Sequence, residues 1–161
     1  MTLSSGAKMP VLGFGTSQIK ETEPIYTAIV KAGYRHIDTA TRYANEEYVG
    51  EAIEKAIAEG AVKREDLFIT TKLWHSDYSD PEAALKLSLQ KLKLDYVDLY
   101  LIHWPNNFFT DDKNKVPMHV LWPKMEALVD SGLAKSIGVS NFNTQLLADI
   151  MTYCLIKPAC N

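Results

Sequence analysis

Cysteine is scarce in this chain. Cys154 and Cys160 are the only two, and their spacing matches neither a zinc-ligand pattern nor a redox CxxC pair, so they read as reduced, buried thiols and no metal site is expected. No apolar run reaches the roughly 18 residues that suggest a membrane-spanning helix. Met1 leads into the polar stretch Thr2-Leu3-Ser4-Ser5-Gly6 rather than a charged and then apolar leader, so the expected compartment is the cytoplasm. Charge of one sign is not concentrated anywhere. The 17 basic and 20 acidic residues are mixed, for a net charge of −3, and neither nucleic acid nor a membrane surface is expected as a partner. A third glycine is also missing: Gly13-Phe14-Gly15 is not followed by the glycine and helix of a dinucleotide fingerprint, so a Rossmann site is not supported.

What is present is a regular alternation. Short β-branched or aromatic runs are separated by longer amphipathic stretches, the pattern of repeated βα units around a parallel sheet. A hairpin-like segment over residues 3–10 turns near Ser5-Gly6 and precedes a first strand at 11–16. A helix follows with Thr22 as its candidate N-cap, Pro24 in its first turn and Gly33 at its stop. Strands are expected at 34–39, 67–73, 96–103 and 134–139. The second helix starts near Asn45 and runs to Gly60, with Val49, Ala52, Ile53, Ala56 and Ile57 on one face. Asp80-Pro81 opens a third helix striped with Ala84, Leu85, Leu89 and Leu92. A polar loop over 106–115 leads to a helix at 122–131, with Pro123 in its first turn and Gly132 beyond its end. Asn143 caps a fifth helix, and residues 158–161 open a sixth strand. Five complete units are too few for a closed eight-stranded barrel, which takes about 250 residues. A doubly wound sheet and a shortened barrel both accommodate them, and periodicity does not separate the two.

The C-terminal ends of the strands carry the chemistry. They read Thr16-Ser17, Asp38-Thr39, Lys72, His103, Ser140-Asn141 and Asn161. In a parallel barrel such ends converge on one face, so Asp38, Lys72 and His103 would meet despite their distance along the chain. Tyr43 lies in the loop after Asp38, where a phenol can reach over the barrel mouth. A phenol with a pKa of about 10 is a poor acid at neutral pH, and a nearby ammonium favours its ionised form. Lys72 can supply that ammonium and Asp38 the carboxylate that keeps it charged. His103 can then orient a substrate oxygen.

These residues carry a family resemblance. The blocks His36-Ile37-Asp38-Thr39-Ala40 with Tyr43, Thr71-Lys72-Leu73-Trp74, Leu101-Ile102-His103-Trp104-Pro105 and Gly138-Val139-Ser140-Asn141-Phe142 closely resemble, in order, the motifs of the aldo-keto reductases. The resemblance spans essentially the whole chain. It implies an α/β fold of the (β/α)8 TIM-barrel type, here shortened to its first five to six strands within one partial domain over residues 1–161. It implies NADPH-dependent reduction of small aldehydes and ketones. By the same resemblance Asp38, Tyr43, Lys72 and His103 are the catalytic tetrad, with Tyr43 as general acid. Thr16, Asp38, Ser140 and Asn141 contact the cofactor, while Trp74, His103, Trp104 and Phe108 line the substrate pocket.

The chain departs from the family pattern at Ser17, which stands where many aldose reductases have a tryptophan and so weakens an expectation of sugar-like or large aromatic substrates. Family elements that grip the cofactor phosphates and shape substrate choice lie beyond the stretch matched here. Weak NADPH affinity is therefore expected, together with an open sheet edge that a missing C-terminal half or another copy would cover. The rival expectation is a non-catalytic relative of the channel β-subunit or crystallin kind, or an inactive short form. The intact set Asp38, Tyr43, Lys72 and His103 argues against it.

Overall fold

The structure is a computed structural model that describes residues 1–105 and 115–161. Its backbone alternates β1 (Phe14–Gly15), α1 (Thr22–Val30), β2 (His36–Asp38), α2 (Glu46–Ala58), β3 (Phe68–Leu73), α3 (Pro81–Leu92), β4 (Leu99–Ile102), α4 (Met118–Asp130), β5 (Ile137–Val139) and α5 (Thr144–Tyr153). The strands form one parallel sheet in the order β1-β2-β3-β4-β5. A doubly wound sheet would reverse its strand order at a switch point. This order does not reverse, and each helix packs against the next one in the chain, which is the arrangement of consecutive barrel units.

Two apolar layers follow from strand alternation. Ile37, Ile69, Tyr100, Ile102 and Val139 face the helices, where Val49, Ile53, Leu85, Leu89, Leu121 and Met125 pack against them. On the concave side Phe68, Leu99 and Leu101 pack with Leu3, flanked by Ala7, Met9, Ala159 and Cys160. The hairpin joined by the antiparallel bridge of Thr2 to Lys8 therefore plugs the N-terminal end of the sheet. The reactive strand ends lie at the opposite end.

Local capping accounts for several helix boundaries. Asp80 Oδ1 accepts from Ala83 N at 3.0 Å and Asn143 Oδ1 from Leu146 N at 2.9 Å, each satisfying an otherwise free first-turn N–H. Gly60 and Gly132 follow α2 and α4 with φ of 72° and 77°, the left-handed turn that glycine adopts without a Cβ clash. Other boundaries differ from the sequence expectation. Thr22 is the first residue of α1 rather than its cap, Glu21 holds the cap position, and the Thr22 hydroxyl donates to Glu51 at 2.5 Å. The first strand shrinks from six residues to two because β1 has a partner only in β2 among the described residues, and Val11 and Leu12 are 84% and 69% exposed. Ile57 is 36% exposed, on the margin of the buried face of α2. α4 begins at Met118, so Pro123 lies in its second turn and not its first. Proline removes the N–H that would bond to the His119 carbonyl, and His119 is exposed, where water can take its place. Residues 158–161 run beside β5 through Ala159 N to Ile137 O (2.8 Å) and Val139 N to Cys160 O (3.1 Å) without forming a regular strand.

α2 and α3 approach at Gly50. A Cβ there would lie 2.4 Å from Lys91 O and 2.9 Å from Leu92 Cα, both backbone atoms of α3. Gly50→Ala must push the helices apart, at an expected cost of about 1–3 kcal/mol. Thermal unfolding checks this, and an unchanged melting temperature would contradict the close crossing.

Candidate active site

Lys72 is the fifth residue of β3, and alternation points it to the concave face while its neighbour Thr71 turns toward α2. Its ammonium has three N–H bonds, and all three are committed. They reach Asp38 Oδ1 at 2.6 Å, Thr39 O at 2.9 Å and Tyr43 Oη at 3.4 Å. The Lys72 side chain is 7% exposed and that of Asp38 32%, so the pair sits at the rim with the cation inside. Tyr43 Oη is an acceptor toward Lys72, which leaves its own proton free to leave in another direction.

Tyr43 belongs to a single 3-10 turn, Thr41–Tyr43. That turn is tied down from both ends. Thr41 Oγ1 donates to Lys72 O at 3.1 Å, and Lys20 Nζ donates to Tyr43 O and Ala44 O at 2.8 and 3.2 Å. Behind it, Glu46 is buried and accepts from Thr71 Oγ1 at 2.6 Å and Ser88 Oγ at 3.1 Å. Burial raises the pKa of this carboxyl despite those two bonds.

His103 follows β4, its N–H bonded to Leu73 O at 3.1 Å. Its ring stands edge-on to Tyr43 (centroids 5.6 Å apart) and to Trp74 (5.2 Å). Burial, then the Lys72 cation, push its pKa down to about 4, so the imidazole is neutral at physiological pH. The linkage has a definite sign. Unfolded histidine protonates near 6.5 while the folded ring resists until about 4, so stability present above pH 6.5 is lost as pH falls through that window. His103→Gln is expected to flatten the decline in melting temperature between those two values. A parallel decline in both proteins would show that other groups cause it.

The strand-end residues assigned to a cofactor are also adjacent. Asn141, at φ 63°, donates through Nδ2 to His103 O at 2.8 Å and Ser140 Oγ at 3.0 Å. Thr16 is buried, and both its N–H and its hydroxyl bond to the carbonyl of Asp38. Trp74 and Trp104 join Ser17, Gln18, Lys20, Arg42, Tyr43 and His103 around a cavity of about 410 Å³. Phe108 lies outside the described residues. The structure thus brings together Asp38, Tyr43, Lys72, His103, Ser140, Asn141, Trp74 and Trp104.

Sequence reasoning missed three contributors. Asn45 reads as a helix cap, yet its side chain makes no cap bond. It instead donates to Thr16 O (2.6 Å) and Ile19 O (3.0 Å) and accepts from Thr39 Oγ1 (3.0 Å), tying three segments together. Glu46 reads as a carboxylate favouring the positive N-terminal end of α2, and Arg42 reads as an ordinary loop arginine. Their place within three residues of Tyr43 in the chain is the available signal.

Parallel strands in unbroken order, with polar side chains gathered beyond their C-terminal ends, define the class of βα-barrel proteins. Comparison with known proteins narrows the class: the description "Aldo/keto reductase family" matches residues 5–161. The chain belongs to the aldo/keto reductase family. It is 46% identical to the NADH-dependent D-xylose reductase of Candida parapsilosis, over 97% of this chain and 55% of that protein. It is 45% identical to aldo-keto reductase family 4 member C11 of Arabidopsis thaliana, over 99% of this chain and 54% of that protein. Among solved structures, Bombyx mori aldo-keto reductase in complex with NADP matches with TM-score 0.90 and 41% identity, over 99% of this chain and 55% of that one. The chain spans about half the length of the curated relatives it matches.

Proposed function

We propose that this chain carries the proton-transfer and nicotinamide-facing part of a carbonyl reductase that uses NADPH to reduce a small aldehyde or ketone to an alcohol. The observation that supports this best is the fully committed ammonium of Lys72, held by Asp38 and Thr39 and directed at Tyr43 Oη. Tyr43 donates its proton to the carbonyl oxygen, and the Lys72 cation stabilises the phenolate left behind. Asp38 supplies the counter-charge to that ammonium in a site where it is largely shielded from water. Neutral His103 orients the substrate oxygen without itself transferring a proton.

The residues present fit the nicotinamide end of the cofactor. Asn141 spends its Nδ2 within the protein, which leaves Oδ1 as an acceptor, and His103 Nδ1 is a buried nitrogen without a partner among the described residues. Ser140 and Asn141 would hold the carboxamide, and Thr16, bonded to the Asp38 carbonyl, would help place Asp38 toward the ribose. Bound NADPH supplies the hydride that adds to the carbonyl carbon. Trp74 and Trp104 wall the substrate. This reading takes residues 1–161 as one partial barrel domain, because all five strands belong to one sheet.

The test is NADPH consumption by the purified chain with a small aromatic aldehyde, scored together with the alcohol formed. Equimolar NADPH loss and alcohol formation are expected, with a slow rate. NADPH loss without alcohol, or no loss above a heat-treated control, overturns the proposal.

A further inference from the structure

Arg42 is adjacent in the chain to Tyr43 and lines the same cavity, yet the chemistry above does not use it. Among the described residues it has no hydrogen bond and no carboxylate partner. Its guanidinium carbon lies 5.5 Å from the ring centroid of Trp74, within the range of a cation–π contact. Trp74 in turn stands against His103, so the stacked cation is placed on the wall beside the ring proposed to orient the substrate oxygen. The other cations near the mouth are engaged. Lys72 is committed to Asp38, Thr39 and Tyr43, and Lys20 donates to two backbone carbonyls. A guanidinium stacked on an aromatic face keeps its N–H edge free, pre-organised for the two oxygens of a carboxylate or phosphate.

We infer that Arg42 is a specificity subsite for an anionic group, so that the preferred substrate is an aldehyde or ketone that also bears a carboxylate or phosphate. This rests on the reductase reading of the same site and adds the class of substrate. The cofactor's own phosphates are the other source of such an anion, and the experiment separates the two.

Binding is followed through tryptophan fluorescence, since Trp74 lies beneath the guanidinium. The ligands are 4-(hydroxymethyl)benzoate and benzyl alcohol, which cannot form Schiff bases with lysines, and the proteins are wild type, Arg42→Gln and Arg42→Lys. Wild type is expected to prefer the carboxylate by at least about tenfold, Arg42→Gln to lose that preference to within about twofold, and Arg42→Lys to keep part of it. Arg42 is exposed, and circular dichroism verifies that the variants fold. Equal affinity for both alcohols, or no binding of either, overturns the inference. A carboxylate preference that saturating NADP⁺ abolishes assigns Arg42 to the cofactor phosphates and also overturns it, whereas a preference kept in the presence of NADP⁺ supports the substrate subsite. The matching aldehydes are then tested for turnover with NADPH. Absence of hydride transfer from NADPH alongside an Arg42-dependent carboxylate preference refutes the reductase reading and leaves the anion subsite standing.

Discussion

Replacing Tyr43 by phenylalanine is expected to lower kcat for aldehyde reduction by about 10²–10⁴-fold with little change in KM. The change removes one oxygen and keeps the ring that packs against His103, so the fold and the cavity wall survive. In the proposed reduction two groups, Tyr43 and His103, are candidates to give the carbonyl a proton, and their charge states decide between them. With a pKa of about 4, His103 is protonated in only about one molecule in a thousand at pH 7, too few to serve as the acid. Tyr43 remains, its oxygen accepting from Lys72 and its proton unspent. Steady-state kinetics on the two proteins provide the check. Undiminished turnover in the variant would remove Tyr43 from the mechanism and require another proton source.

Asp38→Asn is expected to destabilise the folded chain by roughly 2–3 kcal/mol, because it leaves the ammonium of Lys72 shielded from water without a counter-charge. The value falls below that of a wholly buried pair because Asp38 is 32% exposed. For a chain of this size it corresponds to a fall in melting temperature of about 4–12 °C. Lys72→Met is expected to cost less, since the carboxylate it strands can turn to solvent. The double variant should therefore melt above Asp38→Asn alone. A double variant that melts lower by the sum of both single effects would mean that the two side chains are not coupled. In all three proteins reduction should fail, because the charge that supports the Tyr43 phenolate is lost or misplaced.

Much of this architecture was legible in the chain. Asp80 and Asn143 each accept a bond from an N–H three residues on, so a local pattern suffices to find them. The strand ends were legible for a similar reason: alternation along 68–73 sends Thr71 outward and Lys72 inward whatever surrounds them. Asn45 was not legible in its role. Its position before α2 is that of a cap, but its bonds go to Thr16, Ile19 and Thr39, partners that the chain brings close only after β1 and β2 pair. Pro123 was misplaced by a turn because the start of α4 is set at Pro117 and Met118, upstream of its apolar stripe. Arg42 is not legible either, because an arginine in a loop acquires a role only through the ring beneath it.

By itself the sequence determined the periodic elements, their order and the polar residue at the end of each strand, since these follow from propensities and periods acting over a few neighbouring residues. Periodicity left a doubly wound sheet and a barrel-type one open; the resemblance carried by the strand-end motifs implied the barrel, and the tertiary structure bears it out in the unbroken strand order, because that choice lies in which strands pair. Only the tertiary structure decided that the ammonium of Lys72, with three bonds to give, spends them on Asp38, Thr39 and Tyr43. Such contacts depend on distances across strands, which no local pattern encodes.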